Sequence, residues 1–482
     1  MGGDRQYGGI VYERGDRMNE QVDASGAKPP PAASGLEKAT YAKVAWKLVP
    51  LLFLGYFVAY LDRVNIGFAK LQMAGDLELS DAVYGFGAGI FFLGYFLFEV
   101  PSNLILQRVG ARVWIARIMI TWGLLSAAFV FTDSVPWGPV SVAFGLTDAE
   151  FTFYTLRFLL GVAEAGFYPG VILYLTFWFP AARRAEVIAL FMTAIAFSNV
   201  IGSPVSGGIM QFMDGLAGWR GWQWLFVAEG VPSIMVGLIV LAALPDSPAK
   251  ARWLTAEERA LILARLEDDE RSKAAGGHRH RVADVFLDMR VWVFAIAFFC
   301  LNAGFYALNF WMPTIIQEFG IDPGDFFRVG LLSMIPWGVA AVAMVLWSRH
   351  SDRTGERRWH ATISALATTA GMLLLALVGD NPAAALVALS LVAGGALSWL
   401  TISWSFPTSF LTGAAAAGGI AMINSVANLG GYFGPDLIGS IREATGGNST
   451  AAFLTLAAMA LFNAALTWLM PLLPPGFARR QV

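Results

Sequence analysis

Leu244-Pro245-Asp246-Ser247-Pro248 divides this chain in two. Two prolines within five residues stop a helix, because proline lacks an amide hydrogen and its ring collides with the preceding turn. Six long apolar runs precede this stretch, near 44–70, 82–106, 113–133, 149–178, 184–212 and 224–244. Six more follow it, near 291–317, 329–348, 360–379, 384–410, 415–439 and 450–472. A bilayer-spanning helix takes about 20 mainly apolar residues. The pattern predicts an all-α polytopic membrane protein with twelve transmembrane helices in two six-helix halves, 44–244 and 291–474.

Composition agrees. Of 482 residues, 56% are hydrophobic and 14% charged, against about 25% charged in soluble proteins. The single cysteine, Cys300, excludes an intramolecular disulfide. Residues 245–290 read as a cytosolic linker. In it, Thr255-Ala256-Glu257-Glu258 has the capping-box pattern that starts a helix, and Leu261, Ile262 and Leu266 give that helix an apolar stripe. The run His278-Arg279-His280-Arg281 reads as a solvated basic loop rather than a metal site. Residues 1–43 and 475–482 read as cytosolic tails, the first disordered. Arginines gather in loops on the linker side, among them Arg108, Arg112, Arg183, Arg353 and Arg358. The positive-inside rule places that side, and both termini, in the cytoplasm. The loops after the second and eighth runs echo one another, Leu106-Gln107-Arg108-Val109-Gly110-Ala111-Arg112 against Ser351-Asp352-Arg353-Thr354-Gly355-Glu356-Arg357-Arg358. Repeated halves are a transporter signature, with the substrate between them near mid-membrane.

Four charged side chains interrupt the apolar runs: Asp62, Arg63, Arg157 and Glu164. An unpaired charge at a helix centre costs ~2.5–3.5 kcal/mol on insertion scales, so intramembrane ionisable groups point to function. Asp62 and Arg63 are adjacent and so face different directions on a helix. Asp62 is a candidate proton carrier, and the planar fork of Arg63 suits a carboxylate. Arg157 and Glu164, seven residues apart, share one face about two turns apart. That face presents a fixed cation and a titratable acid. A substrate carboxylate competing with Glu164 for Arg157 would couple anion binding to protonation. Both pairs also admit a purely structural reading, as an interfacial pair or an interhelical charge network.

Glu99 and Arg117 read as groups paired with loop arginines or snorkelling to the interface. The six helices of the second half carry almost no charge before Asp436 and offer polar side chains instead, of which Tyr306 and Asn424 are the preferred substrate contacts. There is no Walker pattern, no His-Glu-x-x-His pair and no other compact catalytic constellation, so neither an enzyme nor a cofactor, metal or nucleic-acid protein is expected.

Four motifs carry a family resemblance: Tyr60-Leu61-Asp62-Arg63-Val64-Asn65-Ile66-Gly67-Phe68-Ala69, Phe98-Glu99-Val100-Pro101-Ser102-Asn103, Arg157-Phe158-Leu159-Leu160-Gly161-Val162-Ala163-Glu164-Ala165 and the dividing stretch itself. Over residues 40–475 the chain resembles the major facilitator superfamily, specifically its anion:cation symporter family. It is most similar to the branch of bacterial tartrate, phthalate and hydroxyphenylacetate permeases. The resemblance implies proton-driven uptake of organic acids by a monomer in the inner (plasma) membrane, whose partners are a small organic anion, protons and lipid. It implies proton coupling at Asp62 and Glu164, anion recognition or gating at Arg63 and Arg157, and cavity positions for Tyr60 and Tyr95. The inner-loop residues Arg108, Arg112, Asp352 and Arg353 would form the gate. Gln107 stands where the family's loop motif usually has an acid. A drug:proton antiporter is the rival expectation, from the partial exporter motif Ser203-Pro204-Val205-Ser206-Gly207-Gly208.

Overall fold

The computed structural model describes residues 35–275, 288–378, 381–410 and 413–470. The basic run at 278–281 and residues 1–34 and 475–482 of the expected tails lie outside the described residues, whereas 35–43, expected as disordered tail, are helical. The first half contains α1 (Gly35–Asp76), α2 (Asp81–Val109), α3 (Ala111–Ala127), α4 (Asp148–Glu164), α5 (Phe167–Thr176), α6 (Ala181–Phe212) and α7 (Gly221–Ala243). The linker carries α8 (Ala256–Ala275). The second half contains α9 (Met289–Gln317), α10 (Phe326–Thr354), α11 (Arg358–Leu377), α12 (Pro382–Ser403), α13 (Gly413–Ala444) and α14 (Thr450–Leu469).

Eleven segments are long and apolar enough to cross a membrane, α4 and α5 together forming one of them. The twelfth, α13, has 32 residues. It owes its polarity to Asn424, Asn428 and the row Gly430, Gly431 and Gly434. The architecture is therefore twelve helices in two six-helix halves.

Local chemistry sets the helix ends. Ser80 caps α2 by accepting from the Val83 amide at 3.2 Å. Thr147 and Glu150 form a reciprocal capping box at the start of α4, satisfying amides that the first turn leaves free. One predicted segment, 149–178, is broken. Gly166 sits at φ +86°, in the left-handed region, where a side chain is strained. Its Cβ position would also meet Ser102 of α2. The chain therefore ends α4 at Glu164 and restarts as α5.

The halves meet where glycines let backbones approach. A methyl group on Gly89 of α2 would lie 2.6 Å from the Tyr432 carbonyl oxygen of α13. Gly207 of α6 and Gly330 of α10 pack directly on Phe326 and Ser203 in the opposite half. Helix α1 packs on α9 across the same interface. The start of α1, the end of α7 and the linker define one face of the molecule, here the linker face. The opposite end is the distal face.

Candidate functional site

Arg63 and Glu164 are both buried, on α1 and at the last turn of α4. They form an ion pair between helices 101 residues apart in sequence. Arg63 also donates from Nη1 to the Tyr306 hydroxyl of α9 at 3.2 Å, so one guanidinium reaches both halves. The Tyr60, Phe91 and Tyr95 rings lie 5.0, 5.4 and 5.6 Å from its Cζ. Such faces attract a cation through the ring quadrupole.

A cavity between the halves opens beside this group. Tyr56, Tyr60, Arg63, Tyr95 and Tyr168 line it from the first half. Asn302, Tyr306, Asn424 and Asn428 line it from the second, with Phe298, Phe305 and Trp404 supplying apolar wall. Arg63 is the one cationic side chain in the lining among the described residues. The structure thus gathers Arg63, Tyr60, Tyr95, Tyr306 and Asn424 around one space.

Arg157 lies elsewhere. It is fully buried, and it donates from Nε to the Gly87 carbonyl at 3.2 Å and from Nη2 to the Ala88 carbonyl at 2.9 Å. The Phe91 and Phe310 rings are 5.1 and 5.8 Å from its Cζ, and it does not line the cavity. The pairing of Glu164 with Arg157 read from their spacing is replaced by pairing with Arg63. Seven residues advance a helix by about 10 Å, at 1.5 Å per residue, too far for direct contact.

Asp62 faces away from the cavity, as its adjacency to Arg63 requires. It accepts from Trp122 Nε1 at 2.9 Å and Ser126 Oγ at 2.8 Å, both on α3, and from Ser233 Oγ of α7 at 2.7 Å. Glu99 is buried rather than snorkelling. It accepts from Asn424 Nδ2 across the halves at 2.9 Å, correcting the expected partnership with loop arginines.

The sequence reading passed over Glu229. It is buried on α7 and accepts from Ser206 Oγ of α6 at 2.6 Å. An acid in the otherwise uncharged run 224–244 was the signal that could have found it.

Charges also tie the halves together at the distal face. Lys70 of α1 pairs with Asp81 at 2.7 Å. Asp81 and Glu318 both accept from Arg442 of α13, at 2.8 and 2.7 Å. The Lys70 ammonium stands 4.1 Å from the centre of the Trp311 ring. On the linker face, two contacts lie within one half or between it and its linker. The Arg112 amide donates to Asp246 at 3.2 Å, and Asp352 pairs with Arg357 at 2.5 Å. Arg108 and Arg353 are exposed. Among the described residues no three His, Cys, Asp or Glu side chains group as a metal site.

A profile of the Major Facilitator Superfamily matches residues 52–435. A protein of Agrobacterium vitis named as a candidate tartrate transporter is 48% identical over 90% of this chain and 92% of its own. A quinolone resistance transporter of Acinetobacter baumannii is 40% identical over 90% of this chain and 95% of its own. The crystal structure of a D-xylose-proton symporter shares the fold, with a TM-score of 0.68 at 18% identity over 90% of this chain and 98% of that one.

Proposed function

The chain belongs to the Major Facilitator Superfamily and is a multi-pass membrane transporter, and from that premise we propose that it takes up a small organic carboxylate together with protons. The observation that carries this reading is the cavity cation Arg63, the one cation in the lining among the described residues, held by a titratable acid of its own half and by Tyr306 of the other. An incoming carboxylate competes with Glu164 for the guanidinium. A buried carboxylate stripped of its counter-charge is strongly disfavoured. Glu164 therefore takes a proton as the anion binds, and the two travel together. Release reverses the exchange: Glu164 gives up its proton and recovers Arg63.

The distal charge network supports a conformation closed on that face, with the cavity's exit towards the linker face. With the linker in the cytoplasm, this is the state that delivers substrate inward. The plasma membrane is the proposed location and the monomer the working unit. The candidate tartrate transporter among the relatives supports a small hydroxy-acid. The hydroxyl and amide lining of Tyr60, Tyr95, Asn302 and Asn424 would hydrogen-bond such a body.

A second reading, export of an aromatic drug or metabolite against protons, draws on the apolar wall of Phe298, Phe305 and Trp404 and on the quinolone resistance relative. Proteoliposomes decide between them. Labelled organic acids, tartrate first, should accumulate when the outside is acidic and fail to accumulate without the gradient. Acid-driven extrusion of lipophilic compounds, with no acid accumulated, would favour export.

A further inference from the structure

We propose that Glu229 is the carboxyl through which protons reach Asp62 from the distal face. The proposal rests on the proton-coupled reading above and adds a route to it. Glu229 is only 3% exposed. One carboxyl oxygen, Oε1, accepts from Ser206. Beside it stands Asn65 of α1, fully buried, whose side-chain amide interacts with the Glu229 carboxyl. Ser233, one turn further along α7, marks the next layer: its hydroxyl donates to Asp62 Oδ2 at 2.7 Å, while its 3.5 Å contact with Glu229 is to the backbone carbonyl and not to the carboxyl.

Depth gives the direction. Helix α7 enters from the distal face at Gly221, so Glu229 lies about 12 Å in, at 1.5 Å per residue. Ser233 is one turn deeper. Helix α1 runs the opposite way, which puts Asn65 nearly one turn distal of Asp62. Glu229 and Asn65 thus form a layer between the distal face and the layer of Asp62 and Ser233. The groups facing the two carboxyls are Asn65 from α1, Trp122 and Ser126 from α3, Ser206 from α6 and Ser233 from α7, with the Glu164 carboxyl of α4 acting on Asp62 through space. No Lys, Arg or His side chain is bonded to either carboxyl among the described residues. Two ionised carboxylates buried without a cation cost far more than one, so a proton is shared along the pair. A proton passed from the Glu229 carboxyl to the Asp62 carboxylate leaves Glu229 as the anion, which takes the next proton from the distal side.

The test compares the wild type, Glu229→Gln and Glu229→Asp in proteoliposomes under an imposed pH gradient, using tartrate as the probe and the wider acid panel if tartrate is not carried. Glu229→Gln should slow proton-driven accumulation at least tenfold, while counterflow, which moves no net protons, persists and reports a folded protein. Glu229→Asp should recover part of the driven rate. Ser206→Ala, which keeps the acid and removes its donor, should displace the pH of half-maximal uptake. Driven uptake by Glu229→Gln at the wild-type rate and pH profile overturns the relay, as does an equal loss of driven uptake and counterflow. A wild-type protein that accumulates no acid under the gradient overturns the coupling reading, and the relay with it.

Discussion

Arg63 holds Glu164 on its own side of the cavity and Tyr306 on the other, 3.2 Å from the hydroxyl. One guanidinium therefore senses the protonation of the first half and the position of the second. Removing the Tyr306 hydroxyl takes away only one of these. A typical hydrogen bond contributes about 0.5–1.5 kcal/mol net, rising to about 1.5–3 with a charged partner. Tyr306→Phe should weaken substrate binding several-fold without abolishing uptake, as read in the KM for labelled acid.

Glu164→Gln keeps the shape of the acid and removes its titration. It should lose accumulation against a gradient yet retain counterflow. Arg63→Ala should lose substrate binding and also destabilise the protein by about 3–5 kcal/mol, the usual consequence of leaving a buried charge without its partner. The double variant should regain most of that stability without regaining transport. Melting curves in detergent and vesicle uptake check the two halves of this statement.

At the distal face Arg442 serves Asp81 and Glu318 together. Arg442→Ala releases Glu318, leaves Asp81 to Lys70 alone and removes the charge link between α13 and α2. The variant should favour the conformation open to the distal side. A single cysteine placed at Tyr432, in a Cys300→Ser background, should label faster from the distal face in Arg442→Ala than in the parent.

The linker helix is held by Lys43, whose ammonium lies 2.8 Å from Glu258. The Lys43 bond, helped by the Thr255 amide, holds the Glu258 carboxyl below its ordinary value. A group depressed in the folded state contributes stability above its unfolded value and loses it as the pH falls through the folded one. The contribution is therefore complete at neutral pH and disappears only below the ordinary glutamate range. It is small, because the pair is solvent-screened. Hydrogen-exchange protection over 256–275, corrected for the intrinsic pH dependence of amide exchange, should stay flat through neutral pH and fall in acid, and Lys43→Ala should lower it at neutral pH but not in acid.

Much of this architecture was legible in the chain because lipid imposes a simple code. Apolar runs of the right length gave the spans, and charges within them gave Asp62, Arg63 and Glu164 as candidates. Partnership was harder to read. Arg63 meets Tyr306 across 243 residues, and nothing local to either residue encodes that meeting. Sequence spacing favoured Arg157 as the partner of Glu164 because periodicity reports a shared face, not a distance. Glu229 went unread because it stands alone in its run, whereas the adjacent Asp62 and Arg63 drew attention as a pair. The break at Gly166 was hidden by continuous apolar character, since hydropathy does not register a change of backbone angle.

Three contacts fasten the linker to the first half. Arg265 reaches Glu37 of α1 at 2.7 Å, Lys43 of α1 holds Glu258, and Trp253 stacks on Trp178 at 5.7 Å. Each of these anchors belongs to the first half. These anchors make the helix cargo of that half. In any rocking motion the first half and linker turn as one heavier stator, and the second half, with its polar, nearly uncharged cavity wall, is the lighter rotor.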